Sequence, residues 1–272
     1  MIELPEAATI AAQAADALTG RTVVSAVAGA SPHKFGWFGG DPATYGERYT
    51  GCRIEGASAW GGLVEISSDG PTLLFQDGPN PRLLPPGTPP PARHQLLVEL
   101  DDGSHLVCVV AMYGGMVLVA PDDPPDEYVL AARTAPSPLG PEFSDEHWDT
   151  LLAGNEKLNV KALLATKQRI PGLGNGVLQD ICWTAEVDPR RKVGALSDDE
   201  RAGLLAAVRG VLAEMTSRGG RSTEKDLHGN PGGYAVVMQR AALDRPCPRC
   251  GGTVTKQALL GGAVYVCGGC QR

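Results

Sequence analysis

Between Thr22 and Leu118 the apolar positions fall in short runs separated by glycine, proline, asparagine and aspartate. The runs Val23–Val27, Gly62–Ile66, Leu73–Phe75, His94–Leu100, Leu106–Met112 and Met116–Ala120 predict β-strands. Two of them are joined around Asp102-Gly103, a pair that favours the tight turn of a hairpin. Several strands at this spacing point to a sandwich or barrel.

Helical patterns flank this β-rich stretch. Pro5 to Leu18 predicts a helix, with proline near its start, Glu6 in the first turn, many alanines and Gly20 as a stop. Pro121 to Pro141 is rich in proline and aspartate and predicts a connector between domains. Beyond it, Ser144 opens a segment with an acidic first turn, and Asn159–Thr166, Asn175–Thr184 and Ser197–Arg218 follow as helices. The last begins Ser197-Asp198-Asp199-Glu200, the pattern of a capping box. There is no internal repeat and no low-complexity tail.

Composition narrows the class only slightly. A chain of 272 residues, 43% hydrophobic and 20% charged, is long enough for two modest domains with separate cores. No apolar run approaches the roughly 18 residues of a membrane span, and the first residues lack a signal peptide's basic segment and apolar core. Charge is more informative once divided. Residues 1–154 hold 7 basic against 20 acidic side chains, a balance of −13, whereas residues 155–272 hold 17 against 11, a balance of +6. The two sum to the overall −7. This asymmetry points to a polyanion on the C-terminal half, without separating DNA from RNA or a protein.

Cysteine spacing adds the first specific chemistry. Cys247-x2-Cys250 and Cys267-x2-Cys270 lie sixteen residues apart, and two such turns can close a tetrahedron around one zinc ion. A pair of disulfides is the competing reading. With three further cysteines scattered at Cys52, Cys108 and Cys182, a reducing cytoplasm is the expected compartment.

A second element is Lys161 to Gly176, a helix followed by Ile170-Pro171-Gly172-Leu173-Gly174 and then Asn175, which opens another helix. Free N–H groups at such a helix start, with the Asn175 amide, make a natural phosphate site. An ordinary helix–helix turn would look similar. Lys161, Asn175 and Arg169 are the expected DNA-contacting residues here, with Arg190, Arg191 and Lys192 possible additions to a basic face.

These features occur in a telling order. An N-terminal Met1-Ile2-Glu3-Leu4-Pro5-Glu6, a β-rich half, the helix–Gly-Leu-Gly-Asn–helix element and a terminal four-cysteine finger together resemble the formamidopyrimidine-DNA glycosylase/endonuclease VIII family across essentially the whole chain. The resemblance implies an α+β, two-domain protein. A helix-capped β-sandwich would occupy residues 1–120, a linker 121–141, a helical domain with a helix-two-turn-helix 142–240, and a zinc finger 241–272. It also implies a monomer that binds double-stranded DNA between the domains, flips out a damaged nucleotide and cuts its glycosidic bond in base excision repair.

The same resemblance assigns site residues. The family's nucleophile is an N-terminal proline amine, and Ile2 holds that position here. Isoleucine is too bulky for the usual removal of methionine, so Met1 is expected to stay and the chain's own amine to sit one residue out of register. Glu3 falls on the acid/base residue and Glu6 on the second acidic position, where a helix N-terminus also favours a carboxylate. The segment from Gly219 to Tyr234 occupies the base-capping loop, with Arg221, Thr223, Lys225 and Tyr234 as candidate contacts and glycines that suit a mobile lid. Met112 and Tyr113 lie where side chains wedge the base stack, though Met112 also suits a core.

Other family side chains are missing. The hairpin expected to carry a lysine reads Ser58-Ala59-Trp60-Gly61-Gly62-Leu63, and the finger tip expected to carry an arginine reads Gly261-Gly262-Ala263. Lys34, between His33 and Phe35, is the first place to seek a substitute nucleophile, provided that burial lowers its pKa. The leading expectation is a glycosylase that hydrolyses the base off with little or no lyase activity. Its rivals are a DNA-damage-binding protein without catalysis and, less favoured by the Gly-Leu-Gly-Asn element, a zinc-stabilised protein with a protein partner.

Overall fold

A computed structural model of the chain describes residues 2–272; the expectation about Met1 lies outside them. The first helix, α1 (Leu4–Leu18), buries Leu4, Ala7, Ile10, Ala11, Ala14 and Leu18 along one stripe, the 3–4 spacing that puts side chains on one helix face. Its small alanines let it lie close over the next layer.

That layer is a sandwich of two sheets. One has the order β1 (Val23–Ala28), β7 (Leu96–Leu100), β8 (His105–Val109), β6 (Asn80–Leu84). The other runs β2 (Gly36–Phe38), β9 (Gly114–Val119), β5 (Thr72–Gln76), β4 (Leu63–Ser68), β3 (Ile54–Trp60). All pairs are antiparallel except β2 with β9. The expected hairpin is present, Leu96 opposite Cys108 and Glu99 opposite His105, with Gly103 turning at φ 79°. A short helix, α2 (Tyr45–Tyr49), buries both of its tyrosines.

Several elements were not foreseen as such. β3 carries exposed and small residues and β6 carries Pro81, and these hide their period. The expected connector holds a helix, α3 (Glu127–Thr134), capped by the Asp126 carboxylate on the Val129 N–H. Its Val129 and Ala132 pack on Leu63 and Leu74 of the five-stranded sheet, so the segment is fastened to the sandwich rather than strung between domains.

The remaining helices are α4 (Asp145–Ala153), α5 (Val160–Ala165), α6 (Asn175–Thr184) and α7 (Asp198–Ser217). Ser197 caps α7 with the reciprocal Glu200 bond, as the sequence predicts. They enclose a core of Trp148, Leu163, Leu178, Ile181, Val208 and Leu212. The closing hairpin, β10 (Val254–Leu259) with β11 (Gly262–Cys267), adds Val264 and Val266 to that core. Among the described residues no helix is long and apolar enough to cross a membrane.

The two cores are interlocked. Ile2 belongs to the sandwich core and Leu4, two residues on, to the helical core. In the opposite direction Leu227, from the segment after α7, is fully buried in the sandwich core. Its N–H donates to Gln13 on α1 and its carbonyl accepts from Leu83 on β6. The expected mobile lid is therefore a strap pinned at its middle. Leu227→Ala is expected to cost about 2–5 kcal/mol and to open residues 219–234 to limited proteolysis, measured by thermal melting and by mapping the first cleavage.

Candidate active-site cleft

The cleft starts from a packing problem at the N-terminus of α6. Its first N–H groups have no acceptor within the helix. Gly174 stands at the cap position and has no side chain to offer. The Glu3 carboxylate supplies both acceptors from across the domain junction, taking the Gly176 N–H on Oε1 and the Val177 N–H on Oε2, each at 2.8 Å. Leu4 N–H donates to the Gly172 carbonyl at 2.8 Å and locks the same seam.

This approach explains the glycines of the Gly172-Leu173-Gly174-Asn175-Gly176 run. A Cβ on Gly172, at φ 76°, would fall 2.3 Å from the Gly61–Gly62 backbone. One on Gly174 would lie 2.7 Å from the Glu3 carboxyl carbon, and one on Gly176 would overlap the Arg221 guanidinium. The alternation serves the meeting of β3–β4, Glu3 and Arg221 with the helix.

Arg221 completes the junction. Its backbone N–H and Nε donate to Glu6 Oε1 at 2.9 and 3.0 Å, Nη2 reaches Glu6 Oε2 at 2.6 Å, and Nη1 lies 3.5 Å from Glu3 Oε2. Glu6 also accepts from the Glu3 N–H at 3.1 Å. All three side chains are buried. Burial pushes the Glu3 carboxyl above its ordinary range, with Arg221 and the two helix N–H groups pulling the other way.

Above this floor lies a cavity of about 620 Å³. It brings together Ile2, Glu3, Met112, Tyr113, Lys161, Asn175 and Arg221 of the residues expected from sequence. Met112 is 65% exposed and Tyr113 39%, so the core reading of Met112 does not hold. Lys161 Nζ donates to the Leu259 carbonyl at 2.8 Å and Asn175 Nδ2 to the Ala263 carbonyl at 3.1 Å, so both grip the finger hairpin. Gly262 fits against them: a Cβ there would sit 3.1 Å from Lys161 Nζ and 3.6 Å from Asn175 Oδ1. A second hollow, about 480 Å³ beside Arg48, Gln76 and Arg133, contains none of the expected residues.

Several expected residues lie elsewhere. Arg169 spends its guanidinium on Asn155 and on the last carbonyls of α5. Arg190 pairs with Asp188, Arg191 with Glu200, and Lys192 Nζ donates to the Lys157 carbonyl. Much of the C-terminal positive balance is therefore engaged internally. Thr223 and Lys225 are exposed outside the cavity lining, and Tyr234 is buried in the helical core, where Asp180 accepts from its hydroxyl. Lys34 is exposed with its ammonium 5.1 Å from the Phe35 ring centre, so the burial its nucleophile role required is not met. Sequence reasoning missed Asp77 and Tyr128, which line the cavity. Asp77 precedes Gly78 and reads as a plain turn residue.

The four cysteines of the finger are free thiols whose sulfurs all lie within 4.8 Å of one another. The Cys247–Cys270 and Cys250–Cys267 sulfurs are 3.8 and 3.4 Å apart, a compact all-sulfur cage that suits a metal ion and excludes the disulfide reading here. Burial raises the Cys247 thiol, but the N–H groups of Cys250 and Arg249, with the Trp183 and Cys267 side chains, together bring it down to about 6. Arg249 stacks 4.2 Å over the Trp183 ring at the end of α6, which docks the knuckle on the helices.

No family model matches the chain. Whole proteins do. A formamidopyrimidine-DNA glycosylase of Laribacter hongkongensis is 33% identical over 199 residues, covering 70% of this chain and 71% of its own length. One from Symbiobacterium thermophilum is 30% identical over 100% of this chain and 89% of its own. The chain belongs to the formamidopyrimidine-DNA glycosylase family. The fold agrees: a complex of the Lactococcus lactis Fpg with DNA containing an abasic site superimposes with a TM-score of 0.83 at 21% identity, over 99% of both chains. The Fpg protein from Thermus thermophilus gives 0.82 at 22% identity, over 99% of this chain and 98% of the other.

The junction makes a direct prediction about this family member. Glu6→Ala would remove the carboxylate that the Nε and Nη2 of the buried Arg221 guanidinium grip, at a cost of about 3–5 kcal/mol. Thermal or denaturant unfolding should show that loss, whereas Arg133→Ala, which breaks an exposed pair with Glu65, should change stability by less than about 1 kcal/mol.

Proposed function

We propose that this chain is a base-excision DNA glycosylase that binds damaged duplex DNA as a monomer and hydrolyses the N-glycosidic bond of a flipped nucleotide, with little or no strand cleavage. The observation that carries this reading is a buried Glu3 on the cleft floor beside an Ile2 that has no ring amine. Glycosidic cleavage builds positive charge on the sugar, in an oxocarbenium-like transition state. A carboxylate fixed by two helix N–H groups and Arg221 in a low-dielectric floor opposes that charge without having to reorganise. Met112 and Tyr113, exposed at the rim, fit the role of side chains that enter the base stack. Lys161 and Asn175, where the finger meets α6, are the proposed phosphate contacts.

Zinc is the proposed finger ion, held by Cys247, Cys250, Cys267 and Cys270. Tetrahedral zinc with Zn–S of about 2.3 Å places sulfurs about 3.8 Å apart, close to the observed separations. Its part is to hold the β10–β11 hairpin against α6.

A second reading, binding without catalysis, draws support from the same Glu3. Both of its oxygens are engaged as the cap of α6, a structural duty that would keep the residue in a protein that had lost its chemistry.

The two readings separate on duplexes carrying one formamidopyrimidine guanine or one oxidised pyrimidine. Base release under single-turnover conditions, strand breakage only after hot alkali, and no adduct trapped by borohydride are expected. Glu3→Gln should slow release by at least about 100-fold with DNA affinity within threefold. A trapped adduct overturns the hydrolytic reading; no release from any lesion, with salt-sensitive binding intact, favours binding alone.

The finger gives a second outcome. Metal analysis should find one zinc per chain. Cys250→Ser or chelation should remove it, lower the melting temperature and weaken duplex binding, while the spectrum of the β-rich half stays native.

A further inference from the structure

Glu3 is not the only carboxylate in the cleft. Asp77, in the turn after β5, lines the same cavity. Its backbone is in the left-handed region at φ 55°, followed by Gly78 at φ 101°. That turn sets the Asp77 side chain against α3, where the Tyr128 hydroxyl donates to Oδ1 at 2.6 Å. Among the described residues no hydrogen-bond donor is recorded on Oδ2, and no cation pairs with the carboxylate. The titratable groups facing it are Tyr128 and Asp126 from the start of α3, Tyr113 from the β8–β9 turn, and Glu3 across the cavity. Glu3, Asp77 and Tyr113 all line this one cavity, and burial, with the two carboxylates adding to it, pushes the Tyr113 hydroxyl up. Burial pushes the Asp77 carboxyl up, the Tyr128 bond opposes this, and Asp126 adds to the rise.

The two acids are differently occupied. Glu3 has both oxygens committed, to Gly176, Val177 and Arg221. A general base needs a lone pair free to take a proton from water, and Asp77 Oδ2 supplies one. We propose that Asp77 is the catalytic base that activates the hydrolytic water, in the place left by an absent proline amine; this rests on the glycosylase reading above. In the step, the water oxygen bonds to the sugar C1′ as the C1′–N bond breaks. Asp77 takes the water proton. The base leaves with the glycosidic electron pair and takes a proton from solvent at the open mouth of the cleft. Asp77 then returns its proton to solvent, so the net reaction consumes one water. Glu3 stays ionised throughout and faces the positive sugar. Tyr128 is a positioning residue that fixes one Asp77 oxygen and leaves the other directed at water.

The test uses the full-length protein and duplexes bearing formamidopyrimidine guanine, with single-turnover base release, duplex affinity and melting temperature measured together. Asp77→Asn should slow release by at least about 100-fold, leave affinity within threefold, and abolish the acidic limb of the pH–rate profile. Asp77→Glu should recover part of the rate, and Tyr128→Phe should lose less than about tenfold and shift the acidic limb. Release by Asp77→Asn within threefold of wild type overturns the proposal while leaving the glycosylase reading standing. A loss in Tyr128→Phe as large as in Asp77→Asn also overturns it, since the carboxylate would then act only as an anchor for the phenol. Absence of base release by the wild-type protein overturns both.

Discussion

The guanidinium of Arg221 is the constraint on which the rest of the cleft depends. It is buried between Glu6 and Glu3 at the one place where the N-terminal helix, the start of α6 and the strap after α7 converge. A buried ion cluster of this kind contributes little net stability compared with apolar packing. Removing one member is expensive, so the cluster chiefly fixes which arrangement is allowed. Here that arrangement decides where Glu3 points. With Glu6 occupied by Arg221, the Glu3 carboxylate turns to the open end of α6, and the helix N–H groups hold it at the floor of the cavity.

Close approach is the second requirement, and glycine meets it. Gly61 and Gly62 at the β3–β4 turn lie against Pro171 and Gly172, and a Cβ on Gly61 would meet Pro171 at 2.5 Å. The family's expected lysine would have stood in this hairpin. In its place the backbone closes directly on the helical half. The finger tip follows the same logic: Gly262 leaves the Lys161 and Asn175 side chains touching hairpin carbonyls where an arginine was expected. At both points a glycine lets two parts of the molecule approach closely. The cleft has carboxylates on its floor and wall.

Much of the fold was legible along the chain because local rules governed it. The period of α1, the Asp102-Gly103 hairpin, the Ser197–Glu200 cap and the cysteine pairs each depend on neighbours in sequence. β2, β3 and β6 were hidden because short or edge strands need few apolar residues, and β6 contains Pro81. α3 was hidden because its cap, Asp126, sits in a run of prolines and aspartates that reads as a linker. Among the basic residues, sequence could count charges but not their partners. Arg190, Arg191, Arg169 and Lys161 look alike in the sequence, and only packing shows which protein groups each of them meets.

By itself the sequence determined the two-part architecture, the family, the metal cage and the presence of Glu3 without a neighbouring proline. Each is set by residue type and spacing, which the chain carries whatever its final shape. Only tertiary structure decided what Glu3 does with its oxygens, that the Gly219–Tyr234 segment is strapped down by Leu227, and that Asp77 shares the cavity. Those facts join residues more than seventy, and in places more than two hundred, positions apart. Burial and charge pairing across such separations leave no periodic trace in a single chain, because the energy that fixes them is exchanged between side chains that meet only when both cores have closed.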